Sequence, residues 1–529
     1  MKKTKLSIVA SILAVCTLAC TACDMLGGKN SSSYSPDNDP KLLQAPDYSK
    51  YTHRFDSYGY SGPDDGTYNI DNVVYDVGED FRTVERYKEY KECGFNIYLA
   101  QTGININGSF DAEVWKKEKV YMDRATEAGL KVILADQRIQ WYSRWGGSII
   151  GEDDPATPEK EYPFANEAEL DATITEYVKL YKDHPGFYGL MLGDEPRSYD
   201  VVSYGQVYAS LKRVLPDAFI QYNLLPGDVG YHEFERFPEL TEEEDNPNWT
   251  EYERVLKQYE KYLNEYLDVL PGIGYLQYDD YPIHNGFIDE DYIAGLQVAA
   301  KVAGERGLEL HIVSQAFGMY TSGPDSFLHW VAPTKQDCQW MNNVLLGFGV
   351  KQIHYFTYWT KGDNKTDGEF FIDGASFMTR GGERTPLWYN MQEIMANNQK
   401  FAPVIKQFEY QGSKSYKITP TNFDPTQILK MDNSYTFKKL TDVTINKEIA
   451  LVTELYDKEN NNYMYMVMNV IGAGAEGSRA FQTTTLTFSD EYTHVVIYKN
   501  GVGTPQKLED GNKLTIKLAA TEAVFVLPY

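Results

Sequence analysis

Asp194 and Glu195 stand side by side at the end of an apolar run, Phe187-Tyr188-Gly189-Leu190-Met191-Leu192, and Pro196 follows them. Adjacent carboxyl groups held by a proline suit acid–base chemistry. One can keep a proton for a leaving group while the other stays ionised, if their surroundings push their pKa values apart. A second acidic pair, Asp279 and Asp280, closes the run Tyr275-Leu276-Gln277-Tyr278, with Tyr281 next. Other β-rich runs end in Asp56 and Tyr58, in Gln101, in Asp136-Gln137-Arg138 with Trp141, Tyr142 and Trp145 behind them, in Asn223, in Gln315, and in Tyr358-Trp359. Carboxylates can move protons, amides can bind hydroxyls, and flat aromatic faces can cover C–H surfaces. With few positive charges among them, that is the inventory of a sugar pocket.

Residues so far apart need a scaffold that gathers strand ends. From about residue 55 to 405, short β-rich runs alternate with longer amphipathic stretches. Strands are expected at Phe55 to Tyr60, Phe95 to Gln101, Lys131 to Gln137, Phe187 to Gly193, Ala218 to Leu224, Ile273 to Asp279, Leu308 to Gln315 and Lys351 to Tyr358. The clearest helix is Glu251 to Leu270, where Tyr252, Val255, Leu256, Tyr259, Tyr262, Leu263, Tyr266 and Leu267 fall at helical spacing and Pro271-Gly272 stops the pattern. Asp200 is the expected N-cap of a helix over Val201 to Leu215. Eight strand–helix units predict an α/β fold, a (βα)8 TIM barrel, whose active face lies just past the strand C-termini. A doubly wound open sheet would want a Gly-rich phosphate loop after its first strand, and none follows here.

Alternation along the strands narrows the choice. With Leu190 and Leu192 toward the helices, Met191, Gly193 and Glu195 face the barrel axis and Asp194 leans toward a neighbour. With Leu276 outward, Gln277, Asp279 and Tyr281 face inward. Alternation favours Glu195 with Asp279, and Asp280 stays in play because the pattern weakens at strand ends.

Past residue 408 the helical period gives way to runs at Ile449 to Tyr456, Tyr463 to Val470, Thr483 to Phe488, Val495 to Tyr498 and Ala523 to Leu527, with turns at Asn460-Asn461-Asn462 and Asn500-Gly501. These predict a small C-terminal antiparallel β-sandwich. The expected organisation is a leader over 1–23, a flexible Gly/Ser/Asn/Asp/Pro-rich tether over 24–50, the barrel over 51–407 and the sandwich over 408–529.

The formal net charge of −26 argues against nucleic acid and anionic membrane surfaces as partners. Lys2, Lys3 and Lys5 precede a short apolar stretch, Leu6 to Ala19, and small residues then meet cysteine at Cys20 and again at Cys23. The stretch is too short for a typical spanning helix. It is similar to a bacterial lipoprotein signal, with Cys23 favoured over Cys20 as the lipidated residue because the polar tether starts directly after it. The expected location is outside the cytoplasm, anchored to the cell envelope by lipid alone. Cys93 and Cys338 are expected to be separate buried thiols. His284, His311, His329 and His354 lack zinc-site spacing, and Asp363 to Gly368 makes a poor calcium loop, with Lys365 in a ligand position. No cofactor and no metal are expected.

On these motifs the region 55–405 resembles (βα)8-barrel glycoside hydrolases, especially lipid-anchored glycan-degrading enzymes of bacteria. Asp194-Glu195-Pro196 is similar to the Asn-Glu-Pro that ends strand four in the retaining clan, which implies Glu195 as acid/base and a carbohydrate substrate. That clan has a nucleophilic Glu at strand seven, where this chain has Val313-Ser314-Gln315-Ala316-Phe317. The adjacent Asp194-Glu195, with Tyr278-Asp279 and Trp359, also resembles N-acetylhexosaminidases and chitinase-like enzymes. There Asp194 would orient a substrate acetamido group acting as nucleophile. The second catalytic group is thus expected from strand six or from the substrate. Two alternatives stand beside a hydrolase: a catalytically silent glycan-binding barrel, and a hydrolase or lyase of another class.

Overall fold

The computed structural model describes residues 39–64, 66–70, 73–101, 112–152, 161–227, 236–285, 287–289, 291–321, 329–363, 368–417, 430–446, 449–470 and 481–529. The expected leader, with Cys20 and Cys23, and most of the expected tether lie outside them. The chain forms two units, 1–45 and 46–529. In the first, the described part is a short 3-10 helix, Pro40–Gln44, capped by Asp39, whose side chain accepts from Lys41 N.

In the second unit, strands two to five of the expected series, Ile97–Gln101, Lys131–Ala135, Phe187–Asp194 and Phe219–Asn223, pair in parallel in chain order. Strands six to eight, Tyr275–Asp280, Glu309–Gln315 and Val350–Phe356, form a second parallel sheet. Backbone bonds connect the sheets at both edges. Leu224 N donates to Gln277 O at 3.0 Å. On the other side the segment 55–60 lies between them: Asn96 N donates to Ser57 O at 3.1 Å, and Tyr60 N to Tyr355 O at 2.8 Å.

That segment is the expected strand one, yet it carries a single β-bridge, Gly59 with Tyr355. Side chains take the donors that a regular ladder would use. Phe55 N is bonded to Gln399 Oε1 (3.2 Å), Asp56 N to Gln352 Oε1 (2.5 Å), Ser57 N to Asn96 Oδ1 (2.9 Å) and Gly59 N to the Tyr90 hydroxyl (2.6 Å). The third strand also differs from expectation. It stops at Ala135, and Asp136 becomes the N-cap of a helix, Gln137–Ser143, by accepting from Arg138 N.

Alternation inside the sheets follows the pattern of the sequence. Met191 packs with Tyr58, Leu99, Ile133 and Ala135 in one apolar cluster. Leu190 and Leu192, on the opposite face of their strand, are buried as well. The helix Glu251–Asp268 starts in a reciprocal Thr250/Glu253 capping box and buries Val255, Tyr259, Tyr262, Leu263, Tyr266 and Leu267. Each such burial contributes about 1.5–3 kcal/mol, far more than intrinsic helix propensity. The helix Val201–Val214 begins at Asp200, but that side chain makes no cap bond; it accepts from Arg197 N at 3.0 Å.

After the long helix Pro386–Ile405 the chain forms antiparallel sheets. One has six strands, in the order Glu409–Lys417, Ile449–Asp457, Asn462–Asn469, Ala523–Pro528, His494–Lys499, Val502–Lys507. The other has three: Leu440–Ile445, Gln482–Phe488, Lys513–Leu518. Val452, Val467 and Val526 from the first share a core with Leu440, Leu486 and Leu514 from the second. Cys93 and Cys338 are free and buried, one ending the helix Val84–Cys93 and the other inside Lys335–Gly347.

Candidate active site

The turn after strand four is clamped at its carbonyls by hydroxyl groups from three helices. Leu192 O accepts from Ser143 Oγ at 2.8 Å, and Gly193 O from the Tyr204 hydroxyl at 3.2 Å. Pro196 O and Arg197 O accept from the Tyr262 and Tyr266 hydroxyls, each at 2.6 Å. Glu195 N donates to Asn223 O on strand five at 2.9 Å. Within this frame Glu195 holds a φ of 46°. The left-handed region costs a non-glycine residue roughly 1–2 kcal/mol, so the surrounding bonds must over-determine the turn.

Asp194 leans toward strand five, where Asn223 Nδ2 donates to its Oδ1 at 3.0 Å, and the Tyr60 hydroxyl is a second partner. The Glu195 side chain meets that of Asp279, the inward residue of strand six. The Tyr281 hydroxyl donates to Asp279 Oδ2 at 2.8 Å, and Tyr281 is itself fixed by Trp330 Nε1, which donates to its backbone O at 2.9 Å. Oδ1 of Asp279 and Oδ1 of Asn223 are buried, and at strict hydrogen-bond geometry neither has a partner among the described residues.

Three carboxyl groups so close cannot all ionise freely. Burial and then the neighbouring Asp194 charge push Glu195 up to about 7, against the opposing influence of Asp279, Arg236 and Arg144. Burial first, then Glu195 and Asp194, hold Asp279 well above the carboxylate range. Asp194 is also raised, by burial, although its bond from Asn223 opposes this. Glu195 keeps 39% of its side-chain surface open to solvent. Its surroundings are dense but it faces an opening, so a ligand can reach it and water partly screens the shift. A carboxylic acid that keeps its proton near neutrality, presented to solvent beside a second carboxyl, can protonate a leaving group.

Several expected site residues are employed elsewhere. Tyr278 and Asp280 lie on the other face of strand six: Tyr278 packs edge-on against Tyr259 at 6.2 Å, and the Asp280 charge is felt by Tyr278 and Tyr292. Asp136, fully buried, accepts from Arg138 Nε (3.0 Å), Arg138 Nη2 (2.6 Å) and the Tyr181 hydroxyl (2.9 Å). Gln315 is turned to backbone, accepting from Ile283 N (2.8 Å) and donating to Ile283 O and Val331 O (3.0 Å each), so it ties loops together. Tyr358 is packed against Tyr90 and Phe377, and Trp359 against Phe81, each ring with at most 2% exposure. Tyr142 packs on Phe164 and is pushed up to about 12 by burial. Side-chain and backbone partners on the helices and loops thus occupy the polar groups and ring faces of these residues.

Trp141 and Trp145 are exposed and pair edge to face at 6.4 Å, with Arg144 between them in sequence. Gln137 is the half-exposed first residue of the helix that carries them, and Gln101 ends strand two with its side chain outside the described part. Tyr60, Arg144, Arg236 and Lys361 join the expected residues here. Tyr60 follows from alternation, two residues beyond Tyr58 on the same face. The three cations lie outside the expected strands and carry no such signal. Arg236 Nη1 lies 3.7 Å from Glu195 Oε2, Arg144 acts on Asp194 and Glu195, and Lys361 acts on Asp194. The expectation of few positive charges around the carboxylates is therefore corrected.

No family model matches this sequence. No curated protein matches it either. Solved structures to which the chain is similar include a glycoside hydrolase family 5 protein from Bacteroides vulgatus, 11% identical over 90% of this chain and 88% of that one, with a TM-score of 0.48. Also similar are a family 27 β-L-arabinopyranosidase from Geobacillus stearothermophilus, 11% identical over 92% and 98% with a TM-score of 0.44, and a family 30 endoxylanase from Clostridium papyrosolvens, 12% identical over 90% and 98% with a TM-score of 0.35. At these scores the likeness is one of general chain path, and it is a likeness to glycoside hydrolases.

Proposed function

We propose that this protein is a glycoside hydrolase with Glu195 as its general acid, on a closed (βα)8 barrel followed by an antiparallel β-sandwich. The observation that carries this reading is the Glu195–Asp279 contact at the open end of the strands, with Glu195 raised to about 7. The backbone bonds at both sheet edges support closure of the barrel.

The contact also bears on the second catalytic group. Two carboxyls flanking a glycosidic bond stand roughly 5–5.5 Å apart for retention or about 6.5–9.5 Å apart for inversion. Asp279 instead touches the acid side chain to side chain. It is placed to donate its own proton to Glu195 rather than to attack from the opposite face of the sugar. Gln315, spent on backbone, offers no nucleophile at strand seven. This arrangement favours displacement by a 2-acetamido group of the substrate, steadied by Asp194, which Asn223 and Tyr60 hold. The basic, apolar, cysteine-ended N-terminus supports export and lipid anchoring through Cys23 or Cys20.

The test is hydrolysis of a glycan panel by the wild type and by Glu195→Gln. Turnover should require the 2-acetamido group, be inhibited by a thiazoline, and drop at least about 100-fold in the variant. Turnover of sugars lacking that group, lost in Asp279→Asn, would return the second role to strand six. Binding without turnover by the wild type would establish the glycan-binding alternative instead.

A further inference from the structure

We propose that this protein holds a second carbohydrate site, a cleft between the barrel helices and the C-terminal sheets that takes a short neutral stretch of glycan chain. It shares the ligand class of the hydrolase reading above but none of its residues.

The cleft has a volume of about 710 Å³. Its walls are the helices Glu251–Asp268 and Tyr292–Arg306, the strand Glu409–Lys417 and the segment 431–435. Protein interiors are close-packed, with few voids larger than a water molecule. Clefts for small ligands span roughly 300–1,000 Å³ and favour domain junctions. Here the junction is held at a set width. Asp432 N donates to Gln297 Oε1 at 2.8 Å, and Gln297 Nε2 donates back to Asp432 O at 2.9 Å. One glutamine on a barrel helix thus fixes how closely segment 431–435 approaches, and the space beside it stays open.

The lining points to the ligand class. Trp249, Tyr252, Tyr410 and Tyr435 line the cleft, and all four are partly exposed. Two of these rings are pinned. Tyr410 stacks on Phe348 with ring centres 4.9 Å apart, and its hydroxyl bonds to Ser413. Tyr435 lies against Gly412, where a Cβ would come within 2.2 Å of the ring, and its hydroxyl donates to Glu454. Rings already fixed lose little entropy when a sugar face covers them. The charged side chains of the lining are engaged. Lys257 and Lys301 each bond to Glu260 at 2.6 Å, Glu253 caps Thr250, and Asp432 accepts from Ser434 N and Oγ. Lys430, 4.8 Å over the Tyr252 ring, pairs with Asp291 at 3.5 Å. An anionic ligand therefore finds no cation to itself. Gln297, Gln411 and Ser434 interrupt the apolar wall that an acyl chain would need. Flat rings interleaved with amides and hydroxyls suit a neutral sugar, with C–H faces on the rings and hydroxyls on the exposed Gln411 and Asp432.

Trp249 belongs to the connection from strand five to the helix Glu251–Asp268, and so does Arg236, which lies 3.7 Å from Glu195. The same connection serves cleft and carboxyls, which gives a long glycan two places to hold.

The experiment titrates the full chain, labelled with 5-fluorotryptophan, with the hexasaccharides of chitin, cellulose, xylan and starch, and with laurate as the apolar control. Glu195→Gln is titrated in parallel so that no sugar is consumed. The Trp249 resonance, one of eight, is identified by its absence from Trp249→Ala. It should shift with a hexasaccharide and not with laurate. Val298 lines the cleft, and Val298→Trp fills it. That variant should weaken sugar binding at Trp249 about tenfold or more and leave turnover of a short aryl glycoside unchanged. It should also lower kcat/KM on the parent polysaccharide several-fold, by removing one of two holds. No shift with any of the four sugars, a shift with laurate alone, or binding undiminished in a folded Val298→Trp would overturn the inference. If Val298→Trp does not fold, Trp249→Ala carries the polysaccharide comparison, and an unchanged kcat/KM there overturns it. Absence of turnover with the Trp249 shift intact would end the hydrolase reading and keep the inference; turnover without the shift would do the reverse.

Discussion

Replacing Glu195 by Gln should remove turnover and, above neutrality, make the folded protein more stable. The Glu195 carboxyl is raised from an ordinary 4.5 to about 7, first by burial and then by the Asp194 charge. Between those values the folded chain holds a proton that the unfolded chain has released. The stability tied to this group is therefore fully present below about 4.5 and is lost as the pH rises through about 7. At about 1.4 kcal/mol for each factor of ten, the full loss would be roughly 3 kcal/mol. Glu195 is 39% exposed, so solvent screening reduces this to about 1–2 kcal/mol. Glutamine does not ionise, keeps the size of the side chain and can still bond to Asp279. Paired urea unfolding of wild type and variant should give stabilities within about 0.5 kcal/mol near pH 4, and a variant more stable by about 1–2 kcal/mol near pH 8.5. A difference that does not change with pH, or a variant less stable at the alkaline end, would refute the account of why Glu195 is an acid.

The alkaline limb of activity should lie near pH 7 in the wild type and move down in Asp194→Asn, because the Asp194 charge raises Glu195; a pH–kcat profile checks the direction. Tyr262→Phe and Tyr266→Phe each remove a hydroxyl from a turn carbonyl, at 2.6 Å in both cases, and each should cost about 1–3 kcal/mol. They should also lower kcat more than KM changes, and an unchanged kcat in a folded double variant would show that the clamps do not position Glu195. Cys20→Ser combined with Cys23→Ser should release the protein from the membrane fraction or block its processing, as followed by fractionation and palmitate labelling.

Much of this architecture was legible in the chain because each strand and helix is specified locally. Apolar runs such as Leu190–Leu192 and the tyrosine spacing of 251–268 carry their own period, and that period survives packing. Alternation in strand six likewise put Asp279 on the face where the structure sets it against Glu195. Weak edge elements carry no such signal: Val502–Lys507 is wholly exposed and contains Pro505, so no buried period marks it. The composition of the site depended on contacts between segments far apart in sequence. Asp136 and Gln315 look like ligand-binding residues at strand tips, but Arg138, Tyr181 and the Ile283 backbone use up their bonds. Tyr262 and Tyr266 read as core, yet their hydroxyls hold the turn that carries Glu195. Arg236 stands outside every strand and helix expected from the sequence, and only the folded chain brings it to Glu195. Periodicity records which face of an element is buried; it says nothing of which neighbour waits there. The pairing of carboxyls and cations, and with it the chemistry, is decided in tertiary structure.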